Sequence, residues 1–416
     1  MSTVDTPQTP ENPLTAGQRN LSLASYFRGY LRRLTSGDLG SLPIIVGMII
    51  IALIFQQANS NFLTPRNFVN LILQMAGTTM IAFGVVFVLL LGEIDLSIGY
   101  VSAVCGVAVA MLLRDPAAGW QWYTAIPVAL LAVAGIGLLQ GTIITLFHVP
   151  SFIVTLAGLL AWNGVVLHLI GNGGTVIIQD KVVIGIANSY IPPDGIWGWL
   201  VAAVFVVGYA LLQFVQLYNR RKQGLSNRPI LFPIIQIAIL ALISAVIVIV
   251  ANQDRGLPVV GIILLLVLMG LTFLARNTQF GRYVYAVGGS EEAARRAGIN
   301  VTRIRIIVFM MSSTLAGLGG IMLASRLRSV DTGAGGGNLL LDAIASAVIG
   351  GTSLFGGRGF VASAVLGALI ISSVDNGMGL LNLASGDKFI ITGIVLLVAV
   401  IIDSLSRRRQ QQAGIA

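Results

Sequence analysis

The chain has 416 residues, of which 56% are hydrophobic and only 10% are charged, and its mean hydropathy is +0.89. Soluble domains carry about 25% charged residues, so this composition excludes a soluble protein and indicates that lipid surrounds much of the chain. Lipid permits only helices and closed barrels. The apolar runs, such as 44–55 and 236–250, are continuous rather than alternating, which predicts an all-α, polytopic membrane protein rather than a barrel.

The basic residues are grouped beside the apolar runs. The formal net charge of +9 could by itself indicate a nucleic-acid partner, but 17 of the 25 lysines and arginines lie in four short polar clusters. The clusters are Arg19, Arg28, Arg32 and Arg33; Arg220, Arg221, Lys222 and Arg228; Arg276, Arg282, Arg295, Arg296, Arg303 and Arg305; and Arg407 to Arg409. This distribution is the positive-inside pattern of a membrane protein and argues against a nucleic-acid partner.

The first 41 residues predict a cytoplasmic tail. They are polar up to about residue 20, and residues 21–34 have the pattern of a short amphipathic helix at the membrane surface. A signal peptide would need an early apolar segment and a small-residue cleavage site. Neither is found here, so we expect an uncleaved N terminus inside the cell.

Twelve apolar runs are candidates for membrane-spanning helices, which need about 20 residues each. They are 43–59, 68–91, 95–113, 122–147, 150–170, 196–217, 231–250, 258–275, 304–325, 339–354, 358–379 and 389–403. The run at 339–354 is short and rich in glycine, so it is either re-entrant or broken. We therefore expect about 10–12 spanning helices.

The number of spans between basic clusters fixes the predicted sidedness. Six, two and four candidate spans separate successive clusters, so all four clusters share one face, and both termini are expected inside. The membrane domain then covers 42–405 and includes an inner loop at 276–305, and 406–416 form an inner C-terminal tail. The polar stretch 171–195 lies outside, as a candidate docking or gating surface.

The inner loop contains a short segment, 290–298, that specifies its own helix. Ser290 is a good N-cap, Glu291 and Glu292 lie in the first turn, and basic residues lie in the last. Each glutamate meets an arginine four residues later, and Gly298 is placed to end the helix. Such a short helix needs a partner surface. Either it is a connector packed on its own protein, or it docks into a groove of another subunit.

Motifs for catalysis are missing from the chain. There are three lysines, Lys181, Lys222 and Lys388, and none follows the glycine-rich pattern of a nucleotide-binding P-loop. No pattern of zinc ligands or of a nucleophilic serine occurs either. The sequence thus predicts no enzyme, no metal and no cofactor, and any ATP-driven motor must be another polypeptide.

Acidic side chains lie where the second and third apolar runs meet, and intramembrane charges are functional candidates by default. Glu93, Asp95 and Ser97 lie between Gly92 and Gly99. One interpretation is a broken helix whose acids line a cavity. The other is a turn in which Asp95 and Ser97 cap the next helix. A mixture is favoured, with capping by Asp95 and a hinge at Gly92.

Three more polar residues lie in the C-terminal third of the chain. Asp342 begins a segment of small residues, and it either lines a cavity or caps a helix at the outer surface. Asp375 and Asn376 come late in an apolar run. They either line the exit of a pathway or mark the outer end of that run.

Several segments together resemble one protein family, the permease subunits of bacterial sugar ABC importers of the ribose, xylose and arabinose class. The segments are 93–99 (EIDLSIG), 149–158 (VPSFIVTLAG), 281–300 (GRYVYAVGGSEEAARRAGIN), 341–354 (LDAIASAVIGGTSL) and 375–378 (DNGM). The likeness runs from about residue 42 to about residue 408. The additional basic and apolar segment between 220 and 275 is similar to the longer, xylose type.

The resemblance implies a complex in the bacterial inner membrane. Two copies of the chain would form the pore, a cytoplasmic ATP-binding subunit would drive it, and a periplasmic sugar-binding protein would deliver D-xylose or a related monosaccharide. The coupling segment of the family falls on Ser290, Glu291, Glu292, Ala293, Ala294, Arg295, Arg296 and Gly298. A pathway for neutral sugars needs hydrogen-bonding groups and aromatic faces, for which Trp162, Asn163 and Asn172 are candidates.

A proton-coupled secondary sugar transporter is the alternative function. It would use Glu93, Asp95 or Asp375 as a proton relay. It would need no ATP-binding partner, and its uptake would collapse when an uncoupler is added.

Overall fold

The computed structural model describes residues 42–115, 119–222 and 230–395, together with residues 397 and 401. The predicted surface helix at 21–34 lies outside these residues, as do the basic clusters at 19–33 and 407–409. Within the described residues, 194–222 and 230–250 form one compact unit, and 42–115, 119–193 and 251–395 belong to another.

The chain is helical along most of its described length. The helices are α1 (Leu42–Ala58), α2 (Pro65–Leu90), α3 (Ile98–Leu112), α4 (Trp122–Leu146), α5 (Ser151–Ile170), α6 (Lys181–Asn188), α7 (Trp197–Lys222), α8 (Leu231–Asn252), α9 (Val259–Asn277), α10 (Gln279–Gly289), α11 (Glu291–Arg296), α12 (Val301–Leu327), α13 (Leu339–Ile349) and α14 (Val361–Leu380). Residues 385–395 are also helical.

Two antiparallel strand pairs and a short helix lie in stretches that the sequence analysis left without structure. Strand β1 (Thr175–Ile177) pairs with β4 (Ser329–Asp331), and β2 (Tyr190–Ile191) pairs with β3 (Leu257–Pro258). Asp180 is the N-cap of helix α6, and its carboxylate accepts hydrogen bonds from the backbone amides of Val182 and Val183, both at 2.9 Å. The stretch 171–195 is thus an ordered surface rather than an open loop.

Among the described residues, eight helices are long and apolar enough to cross a membrane: α2, α4, α5, α7, α8, α9, α12 and α14. This confirms the predicted all-α, polytopic membrane protein. Shorter apolar helices include α3 and α13. With 11 residues, α13 is about 16 Å long, against about 30 Å of hydrocarbon, so the run 339–354 does not form one full-length spanning helix.

Helix α12 is central to the larger unit and packs against α2, α3 and α4. Glycines make this packing close. A Cβ atom at Gly320 would collide with the backbone carbonyl of Ser102 on α3, and one at Gly84 on α2 would lie 2.9 Å from the carbonyl oxygen of Ser312. Small residues at helix contacts are how membrane helices gain van der Waals contact without a hydrophobic driving force.

The smaller unit contains α7 and most of α8. A polar cluster joins the two helices, because the amide of Gln213 donates hydrogen bonds to Tyr209 at 2.7 Å and to Gln236 at 3.2 Å. Large apolar side chains such as Val204 and Leu242 are 69% and 66% exposed. Exposed aliphatic side chains of this kind fit helices that face lipid.

Contacts at the two ends of α2 show which segments lie near the same end of this helix. Near its first turn, Asn67 bonds Asn376, and Asn70 accepts a hydrogen bond from Arg255 at 2.8 Å. Near its last turn, the carbonyl of Leu90 accepts a hydrogen bond from Gly357 at 2.9 Å. The loops predicted on one face are therefore grouped at one end of this helix, although which end faces the cytoplasm stays a prediction.

Candidate functional site

A non-helical break separates α2 from α3 and carries three of the predicted residues. Gly92 has a φ of +76°, a conformation that glycine adopts freely, so α2 ends here. The Asp95 carboxylate accepts hydrogen bonds from the backbone amide of Ser97 at 2.9 Å and from its hydroxyl at 2.7 Å. Ser97, and not Asp95, is at the N-cap position of α3, and no side chain caps this helix end. The predicted capping by Asp95 is therefore wrong, because its carboxylate closes a local turn with Ser97 before the helix begins. Gly99 lies inside α3, so the opening is limited to the segment before it.

Helices α4 and α5 hold this break through a buried polar cluster. Gln140 donates a hydrogen bond to the Ser97 hydroxyl at 2.9 Å, and the Thr155 hydroxyl reaches the carbonyl of Ile94 at 3.3 Å. A Cβ atom at Gly158 would touch Gln140, Ser97 and Trp162, so these side chains are contiguous. Asp95 Oδ2 and Trp162 Nε1 are buried and have no hydrogen-bond partner among the described residues.

Glu93 turns away from that cluster and pairs with an arginine in the second turn of α12. Its Oε1 atom lies 2.7 Å from Nε of Arg305, and the two side chains are only 15% and 16% exposed. The same guanidinium lies 3.0 Å from the carboxylate of Glu291. Arg305 thus links the break after α2 to the first residue of α11.

Glu291 is shared between two arginines, because Arg295 lies 2.6 Å from its other oxygen. Partial burial raises the pKa of Glu291, but the charges and hydrogen bonds of Arg305 and Arg295 outweigh burial and lower it overall. The carboxylate is therefore charged at neutral pH and holds both cations.

Helix α11 is capped as its sequence predicts. The Ser290 hydroxyl accepts a hydrogen bond from the amide of Ala293 at 3.3 Å, and Gly298 follows the helix with a φ of +80°. Glu292 and Arg296 form an ion pair whose side chains are 76% and 79% exposed. Ala294 is buried, so α11 has one face against its own protein and one free face.

Near α11, three backbone segments meet at four glycines. We name this contact the glycine junction, and its members are Gly92, Gly288, Gly356 and Gly357. The amide of Gly357 donates to the carbonyl of Leu90 at 2.9 Å. A Cβ atom at Gly288 would collide with that same carbonyl, and one at Gly356 would lie 2.7 Å from the Gly288 oxygen. The end of α2, the end of α10 and the loop after α13 are thus in direct backbone contact.

A polar cavity of about 430 Å³ lies between α2, α12 and α14. Asn67 and Asn376 exchange amide hydrogen bonds at 2.7 and 3.0 Å, and Asn376 also donates to Gln74 at 3.1 Å. Arg326 and Asp375 line the same space. We refer to it below as the polar cavity.

The other predicted pathway residues lie apart from one another. Asp342 lies in the first turn of α13 with a buried Oδ1 that has no partner among the described residues, and Asn338, not Asp342, is at the N-cap position. Asn163 is half-buried on α5, and Asn172 is exposed in a short 3-10 turn. Neither lines the polar cavity.

Sequence reasoning missed four residues of these sites: Arg305, Asn67, Gln74 and Arg326. Arg305 was counted only as one of a basic cluster. Asn67, Asn70 and Gln74 recur at spacings of three and four on α2, which places them on one helix face. That periodicity was the available signal for a polar lining.

The fold defines the chain as a multi-pass helical membrane protein. Residues 67–400 match the family described as the permease component of branched-chain amino acid transport systems, and the chain belongs to this family.

Curated relatives match nearly the whole chain. The xylose transport system permease protein of Escherichia coli (strain K12) is 37% identical over 94% of this chain and 98% of its own length. The corresponding protein of Haemophilus influenzae is 36% identical over 91% of this chain and 99% of its own. The ribose import permease protein of Bacillus subtilis (strain 168) is 32% identical over 88% and 94%. No solved structure matches the chain.

Proposed function

We propose that the chain is the membrane-spanning subunit of an ATP-driven, binding-protein-dependent importer in the bacterial inner membrane, and that its cargo is D-xylose or a related monosaccharide. Two copies would form the pore. A cytoplasmic ATP-binding subunit would supply the energy, and a periplasmic sugar-binding protein would deliver the cargo. The names of the relatives, which carry xylose and ribose, support a pentose.

The observation that carries the ATP-driven part is the free face of α11. The helix is capped at both ends, and more than three-quarters of the surface of each of the Glu292 and Arg296 side chains is exposed. An isolated helix of six residues is not stable in water, and here its buried face and the Glu291–Arg305 pair hold it in place. A rigid, charged projection of this kind fits a groove in another subunit.

In this proposal, α11 transmits movement of the ATP-binding subunits to the membrane helices. Closure of those subunits would pull the α11 helices of the two copies together. The ion pairs of Arg305 and the glycine junction then connect α11 to the break after α2. The break faces Gln140 and Trp162. Its movement would therefore change the side of the membrane to which the transport pathway opens.

The test removes the exposed pair on α11, Glu292→Ala together with Arg296→Ala. Among the described residues these two side chains form an ion pair with each other alone, so the fold should persist, with normal membrane insertion. Sugar-stimulated ATP hydrolysis by the assembled complex should fall at least about tenfold, which corresponds to about 1.4 kcal/mol of lost docking energy. The measurement is ATP hydrolysis and xylose uptake in reconstituted vesicles.

The control removes two exposed charges that lie outside α11 and outside the stretch 171–195, Lys222→Ala together with Arg303→Ala, and should leave hydrolysis unchanged. Unchanged hydrolysis and uptake in the α11 variant would show that α11 does not couple the subunits. Uptake that persists without any ATP-binding subunit and collapses with an uncoupler would instead establish the secondary transporter.

A further inference from the structure

We propose that the polar cavity between α2, α12 and α14 is a weak binding site for one neutral monosaccharide in transit. This inference rests on the proposed function, because it names the place where the cargo is bound inside the permease. The volume of about 430 Å³ lies within the range of roughly 300–1,000 Å³ typical of small-ligand sites.

The cavity presents both donors and acceptors, as a polyhydroxylated ligand requires. Asn67 and Asn376 use their amide groups on each other, on Phe62 and on Gln74. Through these bonds they fix the Gln74 carbonyl oxygen, while the Gln74 amide nitrogen has no hydrogen bond among the described residues. That –NH₂ group can donate twice, and it faces a cavity that Ser372 also lines.

The two charged residues of the cavity complete this pattern. Arg326 and Asp375 both line it, so their formal charges cancel and the site favours a ligand without net charge. Within the part of the chain that the structure describes, no hydrogen bond or ion pair engages the Arg326 guanidinium. The five N–H donors of Arg326 and the carboxylate of Asp375, in one cavity, suit the hydroxyls of a sugar ring.

A branched-chain amino acid, the cargo named in the family description, fits this cavity less well. Its charged groups could meet Arg326 and Asp375, but its aliphatic side chain needs an apolar pocket. Leu323 and Leu380 are the large apolar residues of the lining, and the rest is polar or glycine. The amide and hydroxyl lining therefore favours the sugar.

The lining also predicts weak binding. It contains no aromatic ring, although aromatic and hydrophobic walls provide much of the affinity in tight small-molecule sites. A transit site must bind well enough for entry and weakly enough for exit. The cavity lies at the first turns of α2, opposite the glycine junction, which is the end predicted to face the periplasm and the delivering protein.

A cysteine reporter at the rim of the cavity tests the proposal. Gly379 lines the cavity, is exposed, and has no atom within 4 Å of its Cβ position, so Gly379→Cys should fold normally. In the assembled complex, about 100 mM D-xylose saturates even a millimolar site. It should slow alkylation of this cysteine by a water-soluble maleimide at least threefold, whereas leucine at the same concentration should not.

The matched control is Gly173→Cys, an exposed position near the same end with no neighbour within 4 Å, whose alkylation should not respond to either compound. Absence of protection by xylose or ribose in a complex that still imports sugar would overturn the site and leave the proposed function intact. Protection by leucine alone would assign the cavity to an amino acid. Absence of ATP-dependent sugar uptake would reject the proposed function itself.

A second variant tests the Gln74 amide nitrogen, which has no hydrogen bond among the described residues. In the Gly379→Cys background, Gln74→Ala should raise the xylose concentration for half-protection at least fivefold. Gln56→Ala removes a half-buried glutamine from α1, outside the cavity, and should not change it. Equal protection in both variants would contradict a role for the α2 amides.

Discussion

Among single residues, Arg305 joins the largest number of functional segments. It comes four residues after α12 begins, and its guanidinium lies against carboxylates from the break after α2 and from α11. Both Arg305 and Glu93 are largely buried. A charge that is withdrawn from water in this way is stable only while its partner is present.

Replacement of Arg305 by methionine should therefore destabilise the protein by about 2 kcal/mol, less than the roughly 3–5 kcal/mol for a fully buried pair, because water still reaches both side chains. Adding Glu93→Gln to this variant should recover part of the loss, since it removes the unpaired carboxylate. The measurement is thermal unfolding of the purified protein in detergent, arranged as a double-mutant cycle.

Arg303→Met is the control, because Arg303 is exposed on the same turn of α12 and should change stability by less than about 0.5 kcal/mol. Additive effects of the two substitutions at Arg305 and Glu93 would show that the pair contributes nothing.

Residues whose partners are local were the predictable ones. Ser290, Glu292, Arg296 and Gly298 interact within one short helix, and the structure has each of these contacts. Arg305 and Glu93 are 212 positions apart along the chain, and Asn67 and Asn376 are 309 apart. No periodicity reports such a pairing, so only the fold could reveal it.

At the scale of elements, the broken passage from β4 to α14 is the most unusual. Helix α13 is too short to cross the bilayer, and the chain after it continues as an irregular segment whose Gly357 reaches the end of α2. The short, glycine-rich run 339–354 predicted a re-entrant or broken segment, but a run of apolar residues cannot reveal where the helix ends. The hydrogen bond from the Gly357 amide to the Leu90 carbonyl shows where the irregular segment lies.

This passage should place Thr332 and Phe355 on opposite faces of the membrane. Both residues are exposed, so cysteines at these positions should react with a membrane-impermeant maleimide. We expect Thr332→Cys to react from the periplasmic side and Phe355→Cys from the cytoplasmic side, compared in right-side-out and inverted vesicles.

The native Cys105 is fully buried and serves as the unlabelled background. Reaction of both introduced cysteines from one side would mean that the segment does not cross the membrane, and the count of crossings would then be odd.

At the scale of the whole molecule, α12 organises the larger unit by close approach. Its glycines face α2, α3 and α4, and a single methyl group at Gly320 has no room beside Ser102. The apolar runs predicted nearly every spanning helix to within a few residues. They could not predict which helix lies at the centre, because every run is apolar on all sides.

Gly320→Ala should thus force α12 and α3 apart and lower stability by about 1–3 kcal/mol, as overpacking does. Gly270→Ala provides the comparison. Gly270 lies on α9 with no neighbour within 4 Å, so the substitution should be neutral or stabilise by up to about 1 kcal/mol through helix propensity. Melting temperatures of the two variants, measured side by side, check this, and equal values would contradict close packing at α12.

The glycine junction has one consequence for how this permease can change shape. Where side chains separate two segments, they can rotate to new rotamers and take up a small displacement. In the glycine junction, backbone carbonyls and amides touch directly. No side chain is therefore available there to absorb a displacement. A push on α10 of a fraction of an ångström must either move the end of α2 by the same amount or break the bond between Gly357 and Leu90.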